Sequence, residues 1–318
     1  MKTVLVTGCL GTVGIFTTNK LLSMGYNVIG VDNCSGNPIE RLKDINKSDK
    51  FQFINNGVDD LSVCFNNNQI DAILHLAANI STYDSFENYR SYIDNNITLT
   101  MDLLDYAKRY NIKRFVYASS SSVYGIESSY PSIETNITNP VSIYGVTKQT
   151  CEHFLRIYHD TFGLETIALR YYNIFAPIKY YGYRTVVPLF GDLIMNNKQI
   201  HIYNKGQQRR QFVPIDNIVH ANILALETDN RDCFGQAFNI TVDDEPIALI
   251  DLVNLLYKLL NKTPNYTLKP EKSLGDTDVV WGSSDKAKNY LGYIVQKSMY
   301  NGIEEYCRYI NNEMRDCG

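Results

Sequence analysis

The eleven residues VLVTGCLGTVG, positions 4–14, constrain this chain more than any others. A short apolar run over 3–8 ends in glycine and reads as a strand buried on both faces of a parallel sheet. A helical pattern follows at once through Ile15, Phe16, Leu21 and Leu22 and stops at Gly25. Between the two, Gly8, Gly11 and Gly14 follow a GxxGxxG spacing. Glycines so placed permit a tight turn, let the backbone approach a pyrophosphate, and let the helix pack closely on the sheet. A second apolar run, 27–32, ends on Asp32. A carboxylate there accepts hydrogen bonds from the diol of an adenine ribose and repels a 2′-phosphate. No arginine follows directly, so NAD is expected rather than NADP.

The same rhythm continues. KFQFIN (50–55), DAILHLAA (71–78), KRFVYASSSSVYG (113–125) and LETIALRYYNIF (164–175) each read as a strand, the third running into a serine-rich loop. ITLTMDLLDYAKRY (97–110) reads as a helix with Leu99, Leu103, Leu104 and Ala107 on one face. Strands alternating with helices predict an α/β fold, a Rossmann-type doubly wound parallel sheet. After Asn173 the pattern loosens into APIKYYGYRTVVP, rich in aromatics, Pro and Gly. Residues 216–227 then read as a helix and 236–241 as a strand. The expected division is an NAD-binding domain over 1–172, with 216–242 returning to it. A smaller substrate domain, interleaved with it, takes 173–215 and 243–318.

With 318 residues, 44% apolar, the chain has material for a real core. A net charge of −4 weighs against a partner bound through a nucleic-acid backbone. The seven cysteines are odd in number and scattered, with no CxxC pair, so neither a disulfide framework nor a metal site is expected. Free thiols fit a reducing cytoplasm. The chain opens directly on a strand pattern, with no leader and no membrane-spanning run, and a cytoplasmic protein is the expectation.

SIYGVTK, 142–148, poses the chemical question. Tyr144 and Lys148 stand four residues apart at the predicted start of a helix, hence on one face. An adjacent ammonium and the positive helix N-terminus both favour phenolate, making a base that works near neutral pH. YxxxK alone is common, and a packed tyrosine beside a solvated lysine is its ordinary reading. The serine run at 119–122 adds a hydroxyl that could bond the same substrate oxygen.

Taken in order, VTGCLGTVG, GVDN, HLAA, FVYASSSSVYG, YGVTK, LRYYNIF and RRQFVPIDN make the chain resemble the extended short-chain dehydrogenase/reductase family. The likeness is to its nucleotide-sugar epimerases and dehydratases, over nearly the whole length. The resemblance implies Ser120, Tyr144 and Lys148 as the catalytic set, with Asn96 supporting the site. It implies that Gly8, Gly11, Thr12, Val13, Gly14, Asp32, Asn33, Val58, Leu76, Ala77 and Ala78 line the NAD site, with Tyr171 beside the nicotinamide. Toward the substrate it implies Asn173 and Arg210 at the phosphates, Tyr203 stacked on the base, and Val186 and Lys272 nearby. It further implies a homodimer built on the helix after Asn96 and the one beginning near Tyr144.

Related dehydratases carry acidic residues just after the catalytic hydroxyl, where this chain has Ser121 and Ser122. That favours simple 4-epimerisation of a UDP-linked sugar over loss of water. A dehydratase, decarboxylase, reductase or non-catalytic NAD(H)-binding regulator on the same fold stay as alternatives. Three departures stand out. Gly57 replaces an acidic residue that often touches adenine, SLGD (273–276) replaces RPGD, and Val280 replaces a tyrosine that narrows some sugar pockets. The last of these suits a bulkier, N-acetylated sugar.

Overall fold

The computed structural model describes residues 2–56, 61–65, 68–126, 129–178 and 185–316. Its main sheet contains β1 (Thr3–Thr7), β2 (Asn27–Asp32), β3 (Phe51–Asn55), β4 (Ala72–His75), β5 (Arg114–Ser120), β6 (Glu165–Tyr171) and β7 (Gln236–Ile240). The spatial order is β7-β6-β5-β4-β1-β2-β3, and every neighbouring pair is parallel. The order reverses between β1 and β4, which opens a crevice at the strands' carboxyl ends.

The central strands are largely apolar because both of their faces are covered, whereas the edge strand β3 is partly exposed. Val4, Val6, Leu74 and Val116 pack on one face with Ile15 of α1 (Thr12–Ser23) and with Ile218 of a later helix. Leu5, Ile73 and Phe115 point the other way. They meet Leu103 and Leu104 of α2 (Leu99–Arg109) and Leu155 of α3 (Ile143–Phe162). The later helix is α4 (Ile215–Glu227).

Two local expectations change. The run 164–175, read as one strand, divides at Tyr172. β6 ends at Tyr171, and Asn173–Phe175 pairs instead with Phe212–Pro214 in a separate two-stranded sheet. The reason is partner supply: Tyr171 lies opposite the last residues of both neighbours, Ser120 and Ile240, and no ladder continues beyond them. The helix expected from residue 97 becomes regular only at Leu99, after a π-helical segment, Ile93–Thr98. The remaining strands are short. Arg209–Arg210 lies between Ile247–Ala248 and Val279–Val280, and Ile200–Ile202 pairs with Tyr266–Leu268.

Candidate active site

A cavity of about 750 Å³ fills the crevice at the carboxyl ends of β1, β2, β4, β5 and β6. Gly8, Gly11, Thr12, Val13 and Gly14 line one end of it. Gly8 has a φ of +67°, a left-handed conformation that only glycine adopts freely. A Cβ at Gly14 would overlap the Gly8 carbonyl oxygen and crowd the Cys9 Cα. The turn therefore closes tightly and brings the first, unpaired amides of α1 to the cavity wall. Leu76, Ala77 and Ala78, following β4, line the cavity directly beside this loop, where a Cβ on Gly8 would lie 2.8 Å from the Ala77 nitrogen.

Asp32 closes β2 and lies in the same wall beside Asn33. Its Oδ2 accepts from the Leu10 amide at 3.0 Å and its Oδ1 from the Cys34 amide at 3.0 Å. Burial raises the carboxyl's pKa, and those two amides work in the opposite direction. A glycine cradle without side chains, a helix N-terminus and a fixed carboxylate for a ribose diol form a set that fits NAD. Val58 and Gly57 lie outside the described residues, as do Tyr180, Tyr181 and Tyr183, the tyrosines of the segment APIKYYGYRTVVP. Among the described residues no cluster of His, Cys, Asp and Glu could hold a metal ion.

The other end of the cavity carries Ser120, Tyr144 and Lys148. Ser120 is the last residue of β5, and its hydroxyl accepts from the Ser122 amide at 3.1 Å. Ser142 caps α3 by accepting from the Gly145 amide at 3.1 Å, so Tyr144 stands in the first turn. Lys148 follows one turn later and is 2% exposed. Its Nζ donates to the Ala118 carbonyl at 2.7 Å and lies 5.9 Å from the centre of the Tyr144 ring.

Burial lowers the Lys148 pKa to about 8. Below that value the ammonium is protonated in both the folded and unfolded chain, and stability does not depend on its titration. Between about 8 and the unfolded value of 10.5 only the unfolded chain holds the proton, so stability rises with pH. Wild type is expected to gain about 3 kcal/mol relative to Lys148→Met across that interval. Denaturant titrations of both proteins at the two ends of the interval check this, and parallel pH dependences would refute it.

Asn96 stands behind the wall rather than in it, 1% exposed in the π-helical segment. Its amide group clamps Asn79 through the backbone nitrogen at 2.8 Å and the carbonyl at 3.0 Å. Tyr171 is in the wall, and its hydroxyl donates to Asn222 Oδ1 at 2.5 Å. Asn222 in turn donates to Thr17 of α1 at 3.1 Å.

The residues expected near the nucleotide separate into two groups. Asn173 lines the cavity and donates to the Gln211 carbonyl at 2.9 Å. Val186, Tyr203, Arg210, Lys272 and Val280 stand outside the wall. Arg210 is buried and paired with Asp276, and its guanidinium also bonds the carbonyls of Thr277, Asp278 and Arg209. Lys272 is half-exposed and paired with Asp278 at 2.6 Å. Tyr203 is 44% exposed. Thr7, Ser81, Thr82, Tyr172 and Thr185 are among the wall residues that sequence reading passed over. Tyr172 lay in plain view inside the YYN motif, whereas Ser81 and Thr82 carry no local signal.

Comparison with known proteins fits this geometry. A UDP-glucuronate 4-epimerase of Thermodesulfobacterium geofontis is 30% identical to the chain over 94% of its length and 93% of the relative's. The solved UDP-glucuronic acid 4-epimerase of Bacillus cereus, in complex with UDP-glucuronic acid and NAD, superposes with a TM-score of 0.90. It is 29% identical, and the match covers 98% of this chain and 99% of that one. A UDP-N-acetylglucosamine 4-epimerase of Methanobrevibacter ruminantium superposes at 0.88 with 26% identity, covering 98% of this chain and 99% of that one. The profile of the NAD dependent epimerase/dehydratase family matches residues 4–241, from the first strand through the seventh, and the chain belongs to that family.

Proposed function

We propose that the protein is an NAD-dependent 4-epimerase of a UDP-linked hexose, uronate or N-acetylhexosamine. The observation that carries this reading is the meeting of Ser120, Tyr144 and Lys148 with the glycine loop and Asp32 in one cavity. Tyr144 takes the proton of the sugar's C4 hydroxyl and later returns it. The Ser120 hydroxyl orients the same oxygen. Lys148, held on the Ala118 carbonyl, keeps a positive charge near the phenol. NAD, held by the glycine loop and Asp32, would supply reversible hydride transfer at C4, with no net redox change. Ser121 and Ser122 line the wall beside Ser120, so hydroxyls and not carboxylates occupy those two positions. That arrangement suits epimerisation better than loss of water.

In this reading residues 1–172 and 216–242 hold the cofactor, while 173–215 and 243–318 hold the nucleotide sugar. Asn173, Val186, Tyr203, Arg210 and Lys272 serve the nucleotide and its phosphates. The enzyme works in the cytoplasm as a homodimer. Val146 and Ile157, both exposed, lie three turns apart on one face of α3 and suit such an interface. Among the described residues no helix is long and apolar enough to cross a membrane.

Incubation with UDP-glucose, UDP-N-acetylglucosamine and UDP-glucuronate, without added NAD, tests the reading by proton NMR. A new anomeric signal with the couplings of the C4 epimer is expected from at least one of them. A 6-deoxy-4-keto product would move the protein to the dehydratases. Light scattering on the same sample is expected to give twice the chain mass.

A further inference from the structure

His75 ends β4 and is 1% exposed. Its ring joins two threonines: Nδ1 lies 2.7 Å from Thr7 Oγ1, and Nε2 lies 2.9 Å from Thr100 Oγ1. The direction of these bonds follows from the partners. Thr100 spends its one hydroxyl proton on the Asn96 carbonyl, at 2.6 Å, so it accepts from His75. The proton therefore sits on Nε2. Thr7 Oγ1 already receives the Leu76 and Ala77 amides, each at 3.2 Å, so its own proton goes to Nδ1. A doubly protonated ring would bring Thr7 a third donor and leave its proton without a use. Burial, with a smaller contribution from the Lys148 charge, lowers the imidazole pKa to about 3, so the ring is neutral at working pH.

The line continues past Thr100. Asn96, whose carbonyl takes the Thr100 proton, donates from Nδ2 to Thr147 Oγ1 at 3.0 Å. Thr147 donates to the Tyr144 carbonyl at 2.8 Å. Every side chain from Thr7 to Thr147 is at most 2% exposed, so water does not substitute for a missing partner. One end of the line is the residue before Gly8 of the cofactor loop, and the other is the backbone of the base. The π-helical turn holds Asn96 where its carbonyl receives the Thr100 hydroxyl and the Cys151 thiol, the latter at 3.1 Å.

We infer that His75 is a positioning residue: as the neutral Nε2–H tautomer it carries a one-directional hydrogen-bond line that sets Tyr144 relative to the cofactor loop. The inference rests on the proposed role of Tyr144 as base. It concerns placement rather than affinity, because misplacing a reacting group by an ångström costs up to about a hundredfold in rate.

The test has two arms, both on the full-length protein. In the first, nitrogen NMR of histidine-labelled protein identifies His75 among the five histidines by its loss in His75→Gln. The expected spectrum has a protonated Nε2 and a bare Nδ1, unchanged from about pH 5 to 8. An Nδ1–H tautomer, or a ring that titrates in that range, overturns the inference, whatever the activity. In the second arm, Thr100→Val keeps the volume of the side chain and cuts the line. It is expected to lower kcat about tenfold or more, with KM within about twofold, after normalising to bound NAD. His75→Gln, whose amide can accept at one end and donate at the other, is expected to outperform His75→Leu. Wild-type kcat in Thr100→Val, or equal rates in the two His75 variants, overturns it. A wild type that turns over no nucleotide sugar would instead count against the proposed function, while the NMR arm still decides the tautomer.

Discussion

Tyr144→Phe is expected to lower kcat about a thousandfold, within the range that general acid–base groups supply. The substitution removes one oxygen and nothing else. Tyr144 is 8% exposed, so its ring is part of the packing and phenylalanine retains that packing. The Ser142 cap, the Thr147 bond to the backbone and the Lys148 bond to Ala118 do not involve the phenol. Folding and bound NAD are expected to stay close to those of wild type, and KM should move little, since the lost proton transfer belongs to the transition state. Steady-state rates with the substrate found by NMR, alongside the absorbance of released NAD(H), check both halves. A loss smaller than tenfold would assign the proton to another group and remove Tyr144 from the chemistry.

Arg170→Met is expected to cost about 3–5 kcal/mol of stability. Arg170 and Glu152 are side chains 7% and 11% exposed, joined through two bonds of 2.9 and 2.7 Å. The guanidinium also donates to the Tyr124 hydroxyl at 2.8 Å, and Ser119 donates to the same carboxylate at 2.5 Å. Methionine fills much of the volume but leaves Glu152 charged, buried and without its cation. Removing both charges, in Arg170→Met with Glu152→Gln, should recover much of the loss, because the cost lies in the orphaned charge and not in the missing pair. Denaturant midpoints of the two variants separate these possibilities. A single variant within about 1 kcal/mol of wild type would mean that solvent reaches Glu152.

What the sequence disclosed was local. The glycine loop, Asp32 at a strand end, and Tyr144 with Lys148 one turn away each declare themselves within a few residues, because turn geometry and helix period impose the spacing. The apolar face of α2 was legible for the same reason: Leu99, Leu103, Leu104 and Ala107 are all buried. Contacts closed by topology were not. His75 meets Thr7 across 68 residues and Thr100 across 25, and nothing in HLAA states that its first residue bridges two threonines. The break at Tyr172 was invisible because it depends on where the neighbouring strands end. Arg210 was visible as part of RRQF, but its engagement with Asp276, 66 residues on, was not.

The sheet's strand order has a consequence for synthesis. β6 emerges as the sixth strand, yet the neighbour that covers its outer edge is β7, and residues 172–235 lie between them. At about 5–20 residues per second, a ribosome needs roughly 3 to 13 s to make that interval. For that time the nascent chain carries a parallel edge with unpaired amides and carbonyls, buried later but open to other chains while it waits. Codon choice and chaperone supply over those residues therefore bear on yield, although none of the described residues among them contributes a strand to the main sheet.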